Sequence, residues 1–202
     1  MKKRYIVLLN IFLVVLIVLF LLTNSVFSNI YEIIIYNSQP IATPSPFQQD
    51  IAICNGTVNI GNNLAYVNNT ELFNRINPTG SNVFFFYNLN NPFGSFYYSW
   101  YEGQLNINGT YCDIWWIKLP EGIPANSNIK IYLYLGSYND NFYIKYYPYT
   151  GTSPQVIQGY DNGKNVFIVY GYFNNTLDGW IATPYTGQYN YTITSNGIFT
   201  NN

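Results

Sequence analysis

Beyond residue 28 no stretch of this chain sustains a helical period; short apolar and aromatic runs alternate with Asn, Gly and Pro. That rhythm limits the fold to an all-β class, read as an antiparallel, jelly-roll-like β-sandwich. Ile30–Tyr36 reads as the first strand, followed by a connector whose three prolines between Pro40 and Pro46 forbid helix. Gln48–Cys54 alternates polar and apolar residues, as a half-buried strand does. Val83–Tyr87 and Ser95–Tyr101 read as a pair joined across Asn90-Asn91-Pro92. Asn108-Gly109 is the strongest hairpin signal in the chain, and it leads into the β-prone run Tyr111–Leu119. After a turn at Glu121–Pro124, Ile129, Ile131, Leu133 and Leu135 share one face of a strand over Asn128–Leu135. Phe142–Tyr147 adds an apolar run, Asn165–Phe173 a further strand behind the Asp161-Asn162-Gly163 turn, and Tyr189–Thr194 a last one before an Asn196-Gly197 hairpin.

The amino terminus is of another kind. Behind Lys2-Lys3-Arg4, residues Tyr5 to Leu22 are broken by one polar side chain, Asn10. As a helix, that run would measure roughly 27 Å, close to the thickness of a hydrocarbon core. Two readings stand. In one, residues 1–4 are cytoplasmic, 5–27 form a retained transmembrane helix, and lipid is the partner of that helix. In the other, the segment is a signal cut after Ser28, with Val26 and Ser28 at the −3 and −1 positions. Both leave the rest of the chain outside, because the three early charges hold the amino terminus in the cytoplasm and the next base is Arg75.

From residue 5 onward nine acidic residues face five basic ones, so no basic stripe is available and nucleic acid is not an expected partner. Charged residues are only 8% of the chain, which leaves Asn, Thr, Ser, Gln and Tyr to make the surface polar. Five N-x-S/T sequons, at Asn55, Asn68, Asn108, Asn174 and Asn190, are candidate glycan sites; the competing reading is chance in an Asn-rich chain. Cys54 and Cys112 either form a disulfide, closing a loop for about 4 kcal/mol by the chain-entropy account, or stay as buried thiols. Histidine is absent, so no metal centre or cofactor is expected from these two thiols.

The same absence removes Ser/His/Asp and Cys/His nucleophile systems. Glu102 and Asp113 are the one carboxylate pair with a conceivable acid–base role, against a plainer reading of Glu102 at a strand end and Asp113 facing solvent. Catalysis is not expected. A calcium site from Asp140 or Asp161 would lack a loop of clustered acids. Trp100, Trp115, Trp116 and Trp180, with neighbouring Tyr97, Tyr98 and Tyr101, could stack on sugar rings or form the core; Trp115 and Trp116 must point to opposite faces of one strand.

Four blocks are more specific together than singly: Thr43–Gln49, Ser99-Trp100-Tyr101-Glu102-Gly103, Ile114–Pro120 with Gly122-Ile123-Pro124, and Tyr160-Asp161-Asn162-Gly163. In this order they resemble a β-sandwich domain family of unknown function from archaeal and bacterial secreted or membrane-anchored surface proteins. The resemblance spans about residues 30–172. In that family a concanavalin-like lectin sandwich often follows, and Phe173–Trp180 looks like the opening of one. A complete lectin domain needs on the order of a hundred more residues, so 173–202 are expected to be added strands or a truncated segment. The resemblance implies surface placement and supplies no catalytic residue. The expectation is a membrane-anchored external sandwich with a structural or attachment role on a cell or an archaeal virion, its partners surface glycans or copies of itself. The alternative is a secreted, lectin-like carbohydrate-binding module.

Overall fold

The computed structural model describes residues 29–58, 65–171, 190–194 and 197–201. The apolar segment expected at 5–27 lies outside them, and among the described residues no helix is long and apolar enough to cross a membrane. The strands are β1 Ile30–Asn37, β2 Phe47–Cys54, β3 Ala65–Asn68, β4 Val83–Phe86, β5 Tyr98–Ile107, β6 Thr110–Leu119, β7 Ser127–Leu135, β8 Thr150–Thr152, β9 Asn190–Thr194 and β10 Gly197–Asn201. Among the described residues, three short α-helices and one 3-10 turn at Pro92–Gly94 interrupt them: α1 Thr70–Arg75, α2 Phe142–Tyr146 and α3 Gly163–Val166.

Two sheets share one core. A three-stranded sheet runs β1-β7-β4 and a five-stranded sheet runs β3-β2-β6-β5-β8, while β9 and β10 form a separate antiparallel pair. Strand alternation supplies the inner faces: Ile33, Ile35, Phe85, Ile131 and Leu133 from the smaller sheet meet Ile51, Ile53, Trp115 and Ile117 from the larger. Trp115 is fully buried, its ring 4.6 Å from that of Tyr101 and 5.9 Å from that of Phe85 on the opposite sheet. Cα register pairs Ile107 with Thr110, leaving Asn108 and Gly109 as a two-residue loop with φ of 49° and 91°. That left-handed pair is why Asn-Gly marked the hairpin.

Several expectations fail, each for a physical reason. Val83–Tyr87 and Ser95–Tyr101 meet only at an antiparallel bridge, Phe86 to Phe96, where Tyr87 N–H donates to the Ser95 carbonyl at 3.0 Å and Tyr97 N–H to the Phe85 carbonyl at 2.9 Å; the strand ladder of β4 is formed with β7 instead. β4 is buried on both faces, with Phe85 toward Trp115 and Phe84 beneath α2, and it forms one edge of the smaller sheet while β5 enters the larger. The run at Phe142 is helical because Asn141 caps the Ile144 N–H at 3.2 Å and one turn brings Phe142 and Tyr146 together against Phe84. Residues 165–171 are not a strand, since α3 occupies Gly163–Val166. The sandwich is not wholly antiparallel either: β3 on β2 and β8 on β5 are parallel, and both arrive through long connections that need no hairpin.

The far end of the sandwich is laced by two of the sequence blocks. Thr43 N–H donates to the Ile123 carbonyl at 3.0 Å, and Ile123 N–H donates to Thr43 Oγ1 at 2.7 Å. Gly122, at φ 67°, lies where a Cβ would sit 2.4 Å from the Pro44 carbonyl oxygen. Gly122→Ala is therefore expected to cost at least about 3 kcal/mol of unfolding free energy in urea titration. Gly109→Ala, strained in φ but with open space around it, should cost only about 1 kcal/mol.

Candidate functional site

The outer face of the five-stranded sheet is built by the side chains that alternate away from the core. Its cross-strand rows are Gln48–Lys118–Tyr98, Asp50–Trp116–Trp100, Ala52–Ile114–Gly103 and Cys54–Cys112–Leu105. The face has two halves. In one, Ala52, Cys54, Val58, Cys112 and Ile114 bury each other, and Cys54 and Cys112 are joined by a disulfide with sulfurs 2.06 Å apart. In the other, Trp100 and Trp116 lie side by side, both half-buried and outside all three buried apolar clusters.

A β-bulge gives this half its chemistry. The register of β5 on β6 shifts between Tyr101 and Gly103, so Glu102 is the extra residue and is displaced from the regular pleat. Its Oε2 accepts the Trp116 indole N–H at 2.8 Å. Gly103, at φ 125°, supplies the backbone conformation the bulge needs. Across the sheet, Asp50 accepts the Gln49 side-chain amide at 3.0 Å. Burial holds the Asp50 carboxyl above the ordinary carboxylate range, and the nearby Glu102 charge pushes in the same direction.

The third carboxylate comes from the Tyr160–Gly163 block. Asp161 Oδ1 accepts the Trp100 indole N–H at 3.0 Å, the Gly163 N–H at 3.0 Å and the Tyr170 hydroxyl at 2.8 Å. Beside it, the Asn162 amide donates to the carbonyls of Ser99 and Pro148 at 3.0 and 2.8 Å. These bonds turn the chain into α3 and set residues 163–170 over the sheet, where Lys118 Nζ donates to the Asn165 carbonyl at 3.1 Å. Phe167 then contacts both indoles, at ring-centroid distances of 5.3 Å to Trp100 and 5.6 Å to Trp116, and stacks on Tyr170 at an interplanar angle of 9°. Aromatic rings and three acids thus converge, and none of these acids is in an ion pair among the described residues.

The other sequence candidates fall elsewhere. Trp115 is excluded from ligand stacking because the core encloses it completely. Tyr101 is equally buried, and Tyr98 stacks on Tyr149. Trp180 and Asn174 lie outside the described residues. Glu102 and Asp113 do not form a pair: Glu102 is on the outer face, and Asp113, expected in solvent, is 3% exposed on the core side, accepting the Tyr101 hydroxyl at 2.6 Å. Asp140 accepts the Ser137 N–H at 2.7 Å in the turn before α2, remote in role from Asp161. Among the described residues no three His, Cys, Asp or Glu side chains gather as a metal site. Asn55, Asn68 and Asn108 are exposed, Asn68 donating to the Thr57 hydroxyl at 3.0 Å; Asn190 opens β9. Sequence reading did not find Asp50, Phe167 or Tyr170 as members of the face. For Asp50 a signal existed, its alternation phase with Gln48.

The chain is 35% identical over 167 residues to "Uncharacterized protein 562" of Sulfolobus islandicus rod-shaped virus 1, a similarity covering 81% of this chain and 25% of the viral protein. The chain therefore spans about a quarter of the length of that relative. No protein-family model matches it, and no solved structure matches it.

Asp113 makes the fold sensitive to pH. Burial pushes its carboxyl up to about 6 from an ordinary 3.8, against the opposing hydrogen bonds from Tyr101 and Gln104. Between those values the folded chain holds a proton that the unfolded chain has released, so stability should fall as pH rises through this window. The loss is about 2–3 kcal/mol between pH 3.5 and 7. Asp113→Asn should remove that part of the slope, read as the difference between wild type and variant in urea unfolding at the two pH values. Asp161→Ala, by contrast, should loosen residues 163–170 and raise amide hydrogen exchange there, with a smaller effect on exchange in β6.

Proposed function

We propose that this chain is a surface protein of an archaeal virus or its host, held in a membrane by residues 5–27 and presenting a jelly-roll-like sandwich outside in a structural or attachment role without catalysis. The observation that carries the reading is the run Tyr5–Leu22 behind Lys2-Lys3-Arg4, of bilayer length and with a cytoplasmic-side charge bias. The first strand begins at Ile30, so little chain separates that run from the folded domain. The similarity to a viral protein supports the source. The sequence blocks resembling a surface-protein sandwich family support the display. An exterior position is also compatible with the disulfide and with glycans at Asn55, Asn68 and Asn108, which would solvate a surface poor in charge.

Membrane lipid is the partner of the amino-terminal segment; surface glycans or further copies of the chain are the partners of the domain. Expression of the full chain followed by fractionation tests the reading. The protein should sediment with membranes, resist carbonate extraction at high pH, and expose its domain to protease only from outside. A cytosolic chain with its first 28 residues intact overturns the proposal. A mature amino terminus at Asn29 overturns the anchor and leaves a secreted module.

A further inference from the structure

We propose that the half of the outer face carrying Trp100 and Trp116 is a binding site for a neutral saccharide, an inference that rests on the attachment role and names the ligand of that role. The apolar core cannot account for these indoles, since it lies on the opposite side of the sheet, against Trp115. Their orientation is held from the edge instead. Each indole N–H is bound to a carboxylate, Trp116 to Glu102 and Trp100 to Asp161, so the rings are fixed at their rims. A pyranose presents C–H groups on its faces, which suit an indole surface, and hydroxyl donors around its edge, which suit carboxylate acceptors.

The acids match that pattern. Among the described residues, Asp50, Glu102 and Asp161 accept only neutral donors: amide, indole, phenol and backbone N–H groups. Glu102 uses Oε2 toward Trp116, and Asp50 uses Oδ1 toward Gln49, which leaves each with acceptor capacity. Three acids grouped around half-buried aromatics would repel an anionic ligand, and hydroxyl donors would offset the cost of keeping the carboxylates dehydrated. Phe167 stands at 82° to Trp100, ring centroids 5.3 Å apart, and bounds the floor on that side.

The test is an array of neutral and anionic oligosaccharides probed with the detergent-solubilised full chain, followed by calorimetric titration of the best ligand. Binding to neutral sugars is expected, weakened at least tenfold by Trp116→Ala and several-fold by Glu102→Gln. Tyr36→Ala, 70% exposed on the other sheet, should leave it unchanged. Near-UV circular dichroism verifies folding, and Asp50→Asn reads the same site if Trp116→Ala does not fold. Absence of any neutral-sugar binding overturns the site, as does binding unaltered in folded Trp116→Ala. Preference for a tetramethylammonium probe overturns it too, since that would mark an aromatic cage for cations. Membrane fractionation reads the anchor separately: a membrane-held chain silent on the array loses the saccharide site alone, and a cytosolic chain loses the display.

Discussion

Adjacent residues of a pleated strand cannot share a face, and in β6 that rule separates Trp115 from Trp116. Trp115 goes inward, packs on its cross-strand neighbour Tyr101 and ties the two sheets together through Phe85. Trp116 goes outward and becomes the centre of the aromatic and acidic half-face. The same strand continues the division along its length, with Asp113, Ile117 and Leu119 on the core side and Cys112 and Ile114 on the other. Because β6 is flanked by β2 and β5, its two faces set the character of the whole five-stranded sheet. Removing the inward indole would empty the core of its largest side chain; altering the outward one would leave the core intact.

A second constraint acts on the outer face, where the bulge at Glu102 and the turn at Asp161 each aim a carboxylate at an indole N–H. The sequence blocks in which they occur, Ser99–Gly103, Ile114–Pro120 and Tyr160–Gly163, are far apart along the chain and meet on one surface. Thr43, from the remaining block, meets Ile123, which follows Ile114–Pro120, at the end of the sandwich. Hydrogen bonding explains why short, individually weak blocks occur together: each supplies an acceptor or donor that another block needs. A buried or half-buried polar group without its partner costs about 1–3 kcal/mol, so these residues are coupled in folding as well as in space.

The face gains its character from low charge. Five bases serve the chain beyond residue 5, and of these Lys118 donates to a backbone carbonyl while Arg75 reaches Tyr31 and Asn29. The acids of the outer face therefore rely on neutral donors, which makes them acceptors rather than halves of salt bridges. The same scarcity leaves Asp113 in the core held, among the described residues, by the neutral donors Tyr101 and Gln104, and it is why acid favours the folded state there.

Local pattern was enough to place β1, β2, β6 and β7 and the Asn108-Gly109 hairpin, because alternation and left-handed turn residues act over a few neighbours. It was also enough to require that one of two adjacent tryptophans face outward. Pairing was beyond it: β4 beside β7, the parallel edges β3 and β8, and the helix at Phe142 follow from which apolar surfaces meet across the fold. The outer face was half legible, since Trp100 and Trp116 stand out by residue type, while Asp161, Phe167 and Tyr170 join them only through a chain reversal some sixty residues later. Side-chain period is a property of consecutive residues; a binding face is a property of distant ones brought to a common surface, and that requires the packing energy of the whole sandwich.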